Sequence, residues 1–273
     1  MTNVLRYAAF TSDPAGGNPA GVVLDADGLD DEAMQAVAAE VGYSETAFLT
    51  KATDVQPVRY FSPKAEVPFC GHATVATAVA LAERNGPGEI VFSTQAGLVP
   101  VTVDADLRAT LTSVEPAVED AGDIGHVLEM LHWSPEDLNP DLPPRIAYAG
   151  ARHLVLSTKT RQRLAELDYD FDGLLTYMLE LDLTTLQLVW QESPTVFHVR
   201  DPFPVGGVVE DPATGAAAAA FGAYLRELNR AQPSITLHQG DDLGRPSLIT
   251  VELSPDDNRV RVSGNAVPIT APA

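Results

Sequence analysis

The sequence predicts an α+β fold made of two similar halves. Three observations carry that prediction. Strand-like segments dominate both halves of the 273-residue chain, each half holds one long Ala-rich helix, and the short segments that introduce those helices match one another. Strand-dominated halves with a single central helix exclude a doubly wound nucleotide-binding fold, which alternates strands and helices throughout.

In the first half, LRYAAF (5–10) and AGVVLD (20–25) are β-rich runs bounded by turn residues and predict strands, with TSDPAGGNP between them as a turn cluster. Asp30 or Asp31 caps a helix to about Glu40, with Met34, Val37, Ala38 and Val41 on one face. SETAFLT (44–50) and VRYFS (58–62) predict strands. A helix follows from about Gly71 to Arg84, stopped by Asn85-Gly86, and EIVFST, LVPVTV and LRATLTS predict three more strands. Residues 115–144 are acidic and Pro-rich around a helix from Ile124 to Leu131, and are the best linker candidate.

In the second half, RIAYA and HLVLST predict strands, with helices near Thr160–Leu167 and Phe171–Glu180. LQLVWQ and TVFHVR predict strands, and DPFPVGGVVEDPATG a loop leading into a helix from Ala216 to Asn229. SITLHQ, PSLITVEL and RVRVSG complete the chain as strands.

Composition narrows the function classes. A hydrophobic fraction of 45% with 20% charged residues is that of a folded globular chain. The net charge of −21 opposes binding to nucleic acid and to anionic membrane surfaces. The N-terminal segment lacks the pattern of a signal peptide, since its short apolar patch is broken by Arg6. No apolar stretch approaches the roughly 20 residues a membrane helix needs. The single cysteine, Cys70, excludes an intrachain disulfide and fits a reducing, cytoplasmic location.

The matching segments are Glu66-Val67-Pro68-Phe69-Cys70-Gly71 and Glu210-Asp211-Pro212-Ala213-Thr214-Gly215. Glu, Pro and Gly coincide, an Ala-rich helix follows each, and Leu81 and Leu225 stand at the same distance beyond the Gly. Each block places a rigid Pro turn before a Gly-led helix start, where unpaired backbone N–H groups and the helix dipole favour an anion. The two blocks are expected to form two walls of one active site. Two capped helix starts under tight turns would give the same pattern.

Few residues nearby suit chemistry. Glu45 is an acid inside an apolar strand signal, between Ser44 and Thr46; half-buried it would serve as a general acid/base, and facing water it would be an ordinary edge residue. His72 heads a helix, where the positive dipole end favours neutral imidazole; a capping or packing histidine fits as well. Asp211 stands at the matching turn and equally suits a helix cap. Cys70 is expected to be a small buried residue rather than a nucleophile, because its two-residue spacing does not set the His72 ring on the sulfur. A two-thiol racemase is excluded by the cysteine count. No metal-ligand spacing appears among the remaining histidines, and no phosphate-loop motif occurs, so no metal or cofactor is predicted.

The stretches GNPAGVV (17–23), SETAFL (44–49), RYFSPKAEVPFCGHAT (59–74), VVEDPATGAA (208–217) and QGDDLGRPS (239–247) together resemble the phenazine-biosynthesis PhzF-like family over essentially the full chain. The resemblance implies a diaminopimelate epimerase-like fold: two similar domains, each a β-barrel-like sheet wrapped around a central helix, with the active site in the cleft between them. The domains are expected at 1–117 and 118–273, the chain end packing back on the first. It further implies a cofactor-independent isomerase or epimerase acting on a small carboxylate-bearing substrate, and a homodimer. The family's catalytic glutamate falls on Glu45, its assisting histidine on His72 and its aspartate on Asp211, with Asn18, Gly71, Gly215 and Ala216 at substrate-binding positions. The family serine that helps hold substrate is replaced by Ala216, so one hydroxyl donor is missing. That departure keeps open a non-catalytic small-molecule-binding or interaction protein on the same scaffold.

Overall fold

The computed structural model describes residues 2–270; Met1 and residues 271–273, which the predicted domains include, lie outside the described residues. The chain divides into two units, Met1–Thr112 with Ser263–Ala273, and Ser113–Val262.

The first unit runs β1 (Leu5–Ala9), β2 (Asn18–Val23), α1 (Asp31–Val41), β3 (Glu45–Leu49), β4 (Gln56–Phe61), β5 (Glu66–Val67), α2 (Gly71–Asn85), β6 (Gly88–Thr94), β7 (Gly97–Val103) and β8 (Arg108–Thr112). β1 is antiparallel to β2, β2 parallel to β3, β3 antiparallel to β4, and β4 parallel to β6. β6, β7 and β8 continue as an antiparallel meander, and the two-residue β5 lies on β4. Residues Ala266–Pro268 return to pair with β1. Asp30 caps α1 by accepting from Ala33 N–H at 2.9 Å, and Gly42 ends it in the left-handed conformation.

α2 is buried without a break from His72 to Ala80, which a helix with one covered face would not show. It packs on β1, β2, β3, β7 and β8, so the sheet wraps it. After His72, Ala, Thr and Val fill those positions because a helix ringed by strands leaves little room for longer side chains.

The second unit runs β9 (Ala117–Asp120), α3 (Gly125–Met130), β10 (Arg145–Tyr148), β11 (Arg152–Thr158), α4 (Arg161–Ala165), α5 (Phe171–Glu180), β12 (Thr185–Ser193), β13 (Val196–Pro202), β14 (Glu210–Asp211), α6 (Gly215–Glu227), β15 (Ser234–Gln239), β16 (Ser247–Ser254) and β17 (Asp257–Pro268), whose last residues belong to the first unit. The order of pairings repeats: β10 antiparallel to β11, β11 parallel to β12, β12 antiparallel to β13, β13 parallel to β15, β15 antiparallel to β16. β14 lies on β13 as β5 lies on β4, and β9 pairs with β10 as residues 266–268 pair with β1. α6 is buried continuously from Ala217 to Leu225 and packs on β9, β10, β11, β12 and β16. At Gly222 a Cβ would stand 2.8 Å from Val251 Cγ1, so only glycine allows this approach of helix to sheet.

Residues 115–144 are no bare linker. β9 joins the sheet, and Val127, Leu128, Leu131, Trp133 and Leu142 are buried, most of them in a cluster with Leu154, Leu164, Leu174, Met178 and Leu186. Each such side chain contributes about 1.5–3 kcal/mol on burial. The acids and prolines around them break the apolar periodicity and hide this layer from a pattern reading. Among the described residues no helix is long and apolar enough to cross a membrane.

The repeat holds to the residue. Phe61 faces Glu66 and Tyr60 faces Val67 in the first unit; Pro202 faces Glu210 and Asp201 faces Asp211 in the second. Arg59 and Arg200 therefore occupy one repeat position. Phe48 lies opposite Arg59, and Leu188 opposite Arg200. Counting back three residues equates Glu45 with Thr185, and the parallel ladders agree, pairing Glu45 with Ala20 and Thr185 with His153.

Candidate active site

Glu45 opens β3, and its neighbour strand β2 begins at Asn18. Gly17 delivers Asn18 from a turn with φ +63, where a Cβ would collide with the backbone of Ala9 and the side chain of Thr11. Cys70 is the N-cap of α2 and His72 its second residue. These elements bring a carboxylate, a thiol and an imidazole together, with their donor atoms all within 4.8 Å of one another.

The contacts fix the state of the ring. Asn18 Nδ2 lies 3.1 Å from His72 Nδ1, and an amide nitrogen only donates, so Nδ1 is the acceptor. The ring proton is then on Nε2, which faces Glu45 Oε2 at 3.3 Å and Ser44 Oγ at 3.3 Å. Burial holds the His72 pKa below its ordinary 6.5; the Glu45 carboxylate pulls the other way and does not overcome it. The neutral ring anticipated from the helix terminus is thus produced chiefly by desolvation.

The expectation that Cys70 lies away from the ring is corrected: Sγ is 3.4 Å from His72 Nδ1 and 3.5 Å from Glu45 Oε2. Two residues within a helix diverge by about 200°, but Cys70 has extended backbone (φ −146, ψ 116) and turns its side chain back over the first turn. Glu45, Cys70 and His72 are also the group among the described residues whose donor atoms could converge on a metal ion. Asn18 already donates to the His72 Nδ1 lone pair, and Glu45 Oε2 faces both His72 Nε2 and the Cys70 thiol.

The second unit carries Asp211 on β14, Gly215 as the first and Ala216 as the second residue of α6. Asp211 accepts from the Thr214 hydroxyl at 2.5 Å. Gln239 ties the turn together: its oxygen accepts from Thr214 N–H at 2.9 Å, and its nitrogen donates to Asp211 O at 2.8 Å and to Thr214 Oγ1 at 3.0 Å. Beside them Asp201 is fully buried, and burial raises its carboxyl pKa well above the ordinary range. Asp201 and Pro202 were expected in a loop, but β13 extends through both; the proline terminates it at an edge where only the short β14 pairs. Asp201, Thr214 and Ser44 were not singled out as site residues. The only sequence signal for Thr214 and Ser44 was their adjacency to the motifs, and Asp201 gave none.

Glu45, Cys70, His72 and Asn18 are thus assembled within the first unit, and Asp211, Gly215 and Ala216 within the second. The repeat positions of Glu45, His72 and Asp211 are Thr185, Ala216 and Val67.

Residues 7–271 match the family described as phenazine biosynthesis-like protein. The chain is 32% identical over 281 residues to the uncharacterized isomerase YfhB of Bacillus subtilis, covering 97% of this chain and 95% of that one. It is 29% identical to the trans-2,3-dihydro-3-hydroxyanthranilate isomerase of Pseudomonas fluorescens, covering 98% and 97%. The crystal structure of a PhzF-family phenazine biosynthesis protein from Bacillus anthracis superposes with a TM-score of 0.88 at 27% identity, covering 98% of this chain and 96% of that one. Fold and relatives together define an enzyme of the isomerase class on an α+β, epimerase-like scaffold. The chain belongs to the phenazine biosynthesis-like protein family.

Proposed function

We propose that the protein is a cofactor-independent isomerase that moves a proton between carbon positions of a small carboxylate-bearing substrate, with Glu45 as the general acid/base. The observation that carries this reading is the 3.3 Å contact between Glu45 Oε2 and the Nε2 of a buried, neutral His72. His72 donates to Glu45, and Asn18 holds the ring from behind. The arrangement fixes one carboxylate oxygen and leaves the other for a substrate C–H. Removing a proton from carbon and returning it elsewhere needs one group that serves first as base and then as acid.

The first N–H groups of α2, beginning at Gly71, suit a substrate carboxylate. The Pseudomonas fluorescens relative is named for an anthranilate-type substrate, which carries such a group. Asp211, with Gly215 and Ala216, is assigned to the same reaction on the family resemblance. The missing hydroxyl at Ala216 sets this chain's substrate apart from those held by the family serine.

The test is deuterium incorporation from heavy water into a panel of amino, hydroxy and cyclic unsaturated acids, read by mass spectrometry. Incorporation at a carbon-bound position of at least one acid is expected. Absence of incorporation across the panel, with the protein folded, contradicts the reading.

A further inference from the structure

Three donor atoms of the first unit form a nearly regular triangle. Glu45 Oε2 lies 3.3 Å from His72 Nε2 and 3.5 Å from Cys70 Sγ, and Sγ lies 3.8 Å from Nε2. Zinc bonds of about 2.0–2.2 Å to nitrogen and oxygen and about 2.3 Å to sulfur, set at tetrahedral angles, hold such donors about 3.3–3.6 Å apart. Two edges of the triangle already have those lengths, and the third needs only a small contraction. His72 and Cys70 are buried and Glu45 is half-buried, so an ion here would be largely shielded from water.

The charges balance as well. A carboxylate and a thiolate cancel the two charges of a divalent cation, and a shielded ion needs that cancellation. Cys70 is the N-cap of α2, where the positive helix end favours the thiolate that coordination requires. We propose that Glu45, Cys70 and His72 form an inhibitory site for a divalent cation of the zinc class, bound through Oε2, Sγ and Nε2. The thiol proton leaves to solvent, the ring proton passes from Nε2 to Nδ1, and water takes the fourth position.

Coordination replaces the present contact of Nε2 with Ser44 Oγ at 3.3 Å. It also reverses the role of Asn18. The amide nitrogen that now donates to Nδ1 at 3.1 Å gives way to the amide oxygen, which accepts the relocated Nδ1–H and holds the ring toward the ion. A thiolate and an imidazole select zinc-like ions over Mg²⁺ and Ca²⁺, which prefer oxygen. The repeat positions of Glu45, Cys70 and His72 in the second unit are Thr185, Thr214 and Ala216, so the donor set belongs to the first unit alone. That the ion halts turnover rests on the proposed function, because it occupies the carboxylate assigned to proton transfer; the binding of the ion does not.

Titration of EDTA-treated protein with Co²⁺ tests the site without any substrate. One equivalent is expected to bind and to give the near-ultraviolet sulfur-to-cobalt charge-transfer band of a thiolate ligand. Zn²⁺ should displace it, and excess Mg²⁺ should not. Cys70→Ala is expected to lose the band, and Cys70→Ala and His72→Gln each to weaken Zn²⁺ binding about a hundredfold or more, since even partners of the ligands carry 10–100-fold. Should His72→Gln not fold, Cys70→Ala, which only trims a small side chain, carries the comparison. Asn18→Asp, which offers Nδ1–H an acceptor in either orientation, is expected to tighten binding about tenfold. Absence of the thiolate band, displacement by Mg²⁺, or equal affinity in wild type and Cys70→Ala assigns the binding to surface carboxylates and overturns the proposal; weaker binding in Asn18→Asp also contradicts it. With an exchanging acid in hand, Zn²⁺ is expected to stop deuterium incorporation, EDTA to restore it, and Cys70→Ala, compared with its own metal-free rate, to need far more Zn²⁺ for half-inhibition. If wild-type protein exchanges no acid, the proposed function fails while the cobalt titration still decides this inference.

Discussion

Glu210 grips Arg200 with both carboxylate oxygens, 3.0 Å from Nε to Oε1 and 2.5 Å from Nη2 to Oε2, at the repeat positions where Glu66 grips Arg59 at 2.6 and 2.7 Å. The two pairs differ in burial: the Glu210 side chain is 0% exposed and the Glu66 side chain 21%. Arg59 also keeps a second partner, Asp31, at 2.6 Å. Removing one member of a buried pair strands the other charge and costs about 3–5 kcal/mol, whereas exposed pairs contribute about 1 kcal/mol or less. Glu210→Ala is therefore expected to lower the urea midpoint far more than Glu66→Ala. Equal shifts would show that the pairs have the same weight despite their burial.

His153 predicts an acid sensitivity. It is wholly buried, its Nδ1 lies 2.8 Å from Thr185 Oγ1, and burial lowers its pKa from 6.5 to about 3. The unfolded chain takes up this proton below pH 6.5 and the folded chain only near 3. The stability is thus fully present above 6.5 and is lost as pH falls through that window, by up to about 1.4 kcal/mol per pH unit. His72, also lowered by burial, acts in the same direction. Urea midpoints measured from neutral toward acidic pH should fall less steeply in His153→Gln than in wild type. Parallel curves would contradict the assignment.

Much of this arrangement was legible in the sequence, and what escaped had physical causes. α2 and α6 announced themselves through Gly-led starts and Ala-rich runs, and the Glu-Pro-Gly match located the repeat that the strand ladders bear out. The arginines of the two ion pairs stand at different offsets from their glutamates, seven residues in one unit and ten in the other, so only strand register equates them. The contact of Cys70 with the His72 ring escapes a spacing argument because Cys70 has extended backbone, where helical periodicity does not apply. Asp201 was hidden because a buried acid before a proline reads as a turn.

Ala216 offers a test of substrate choice. It is the second residue of α6, where a serine would add one hydroxyl at a helix start. Ala216→Ser is expected to change stability by no more than about 0.5 kcal/mol, while changing the relative exchange rates of different acids several-fold. An unaltered ranking across the panel would remove this position from substrate recognition.

Cys70 separates thiol from carboxylate chemistry. Its Sγ touches both His72 and Glu45, as a reacting thiol or as packing would. Cys70→Ala is expected to keep at least about a tenth of wild-type exchange, since loss of a general acid/base costs about 10²–10⁴-fold. A loss in that larger range would assign the proton transfer to sulfur.

The most direct measurement is the rate of solvent-deuterium exchange by Glu45→Gln on an acid that wild-type protein exchanges. Glutamine keeps the shape and the contact with His72 but cannot take a proton from carbon. The account predicts a fall of about 10²–10⁴-fold with unchanged unfolding behaviour. Exchange at the wild-type rate in a folded Glu45→Gln protein would contradict it.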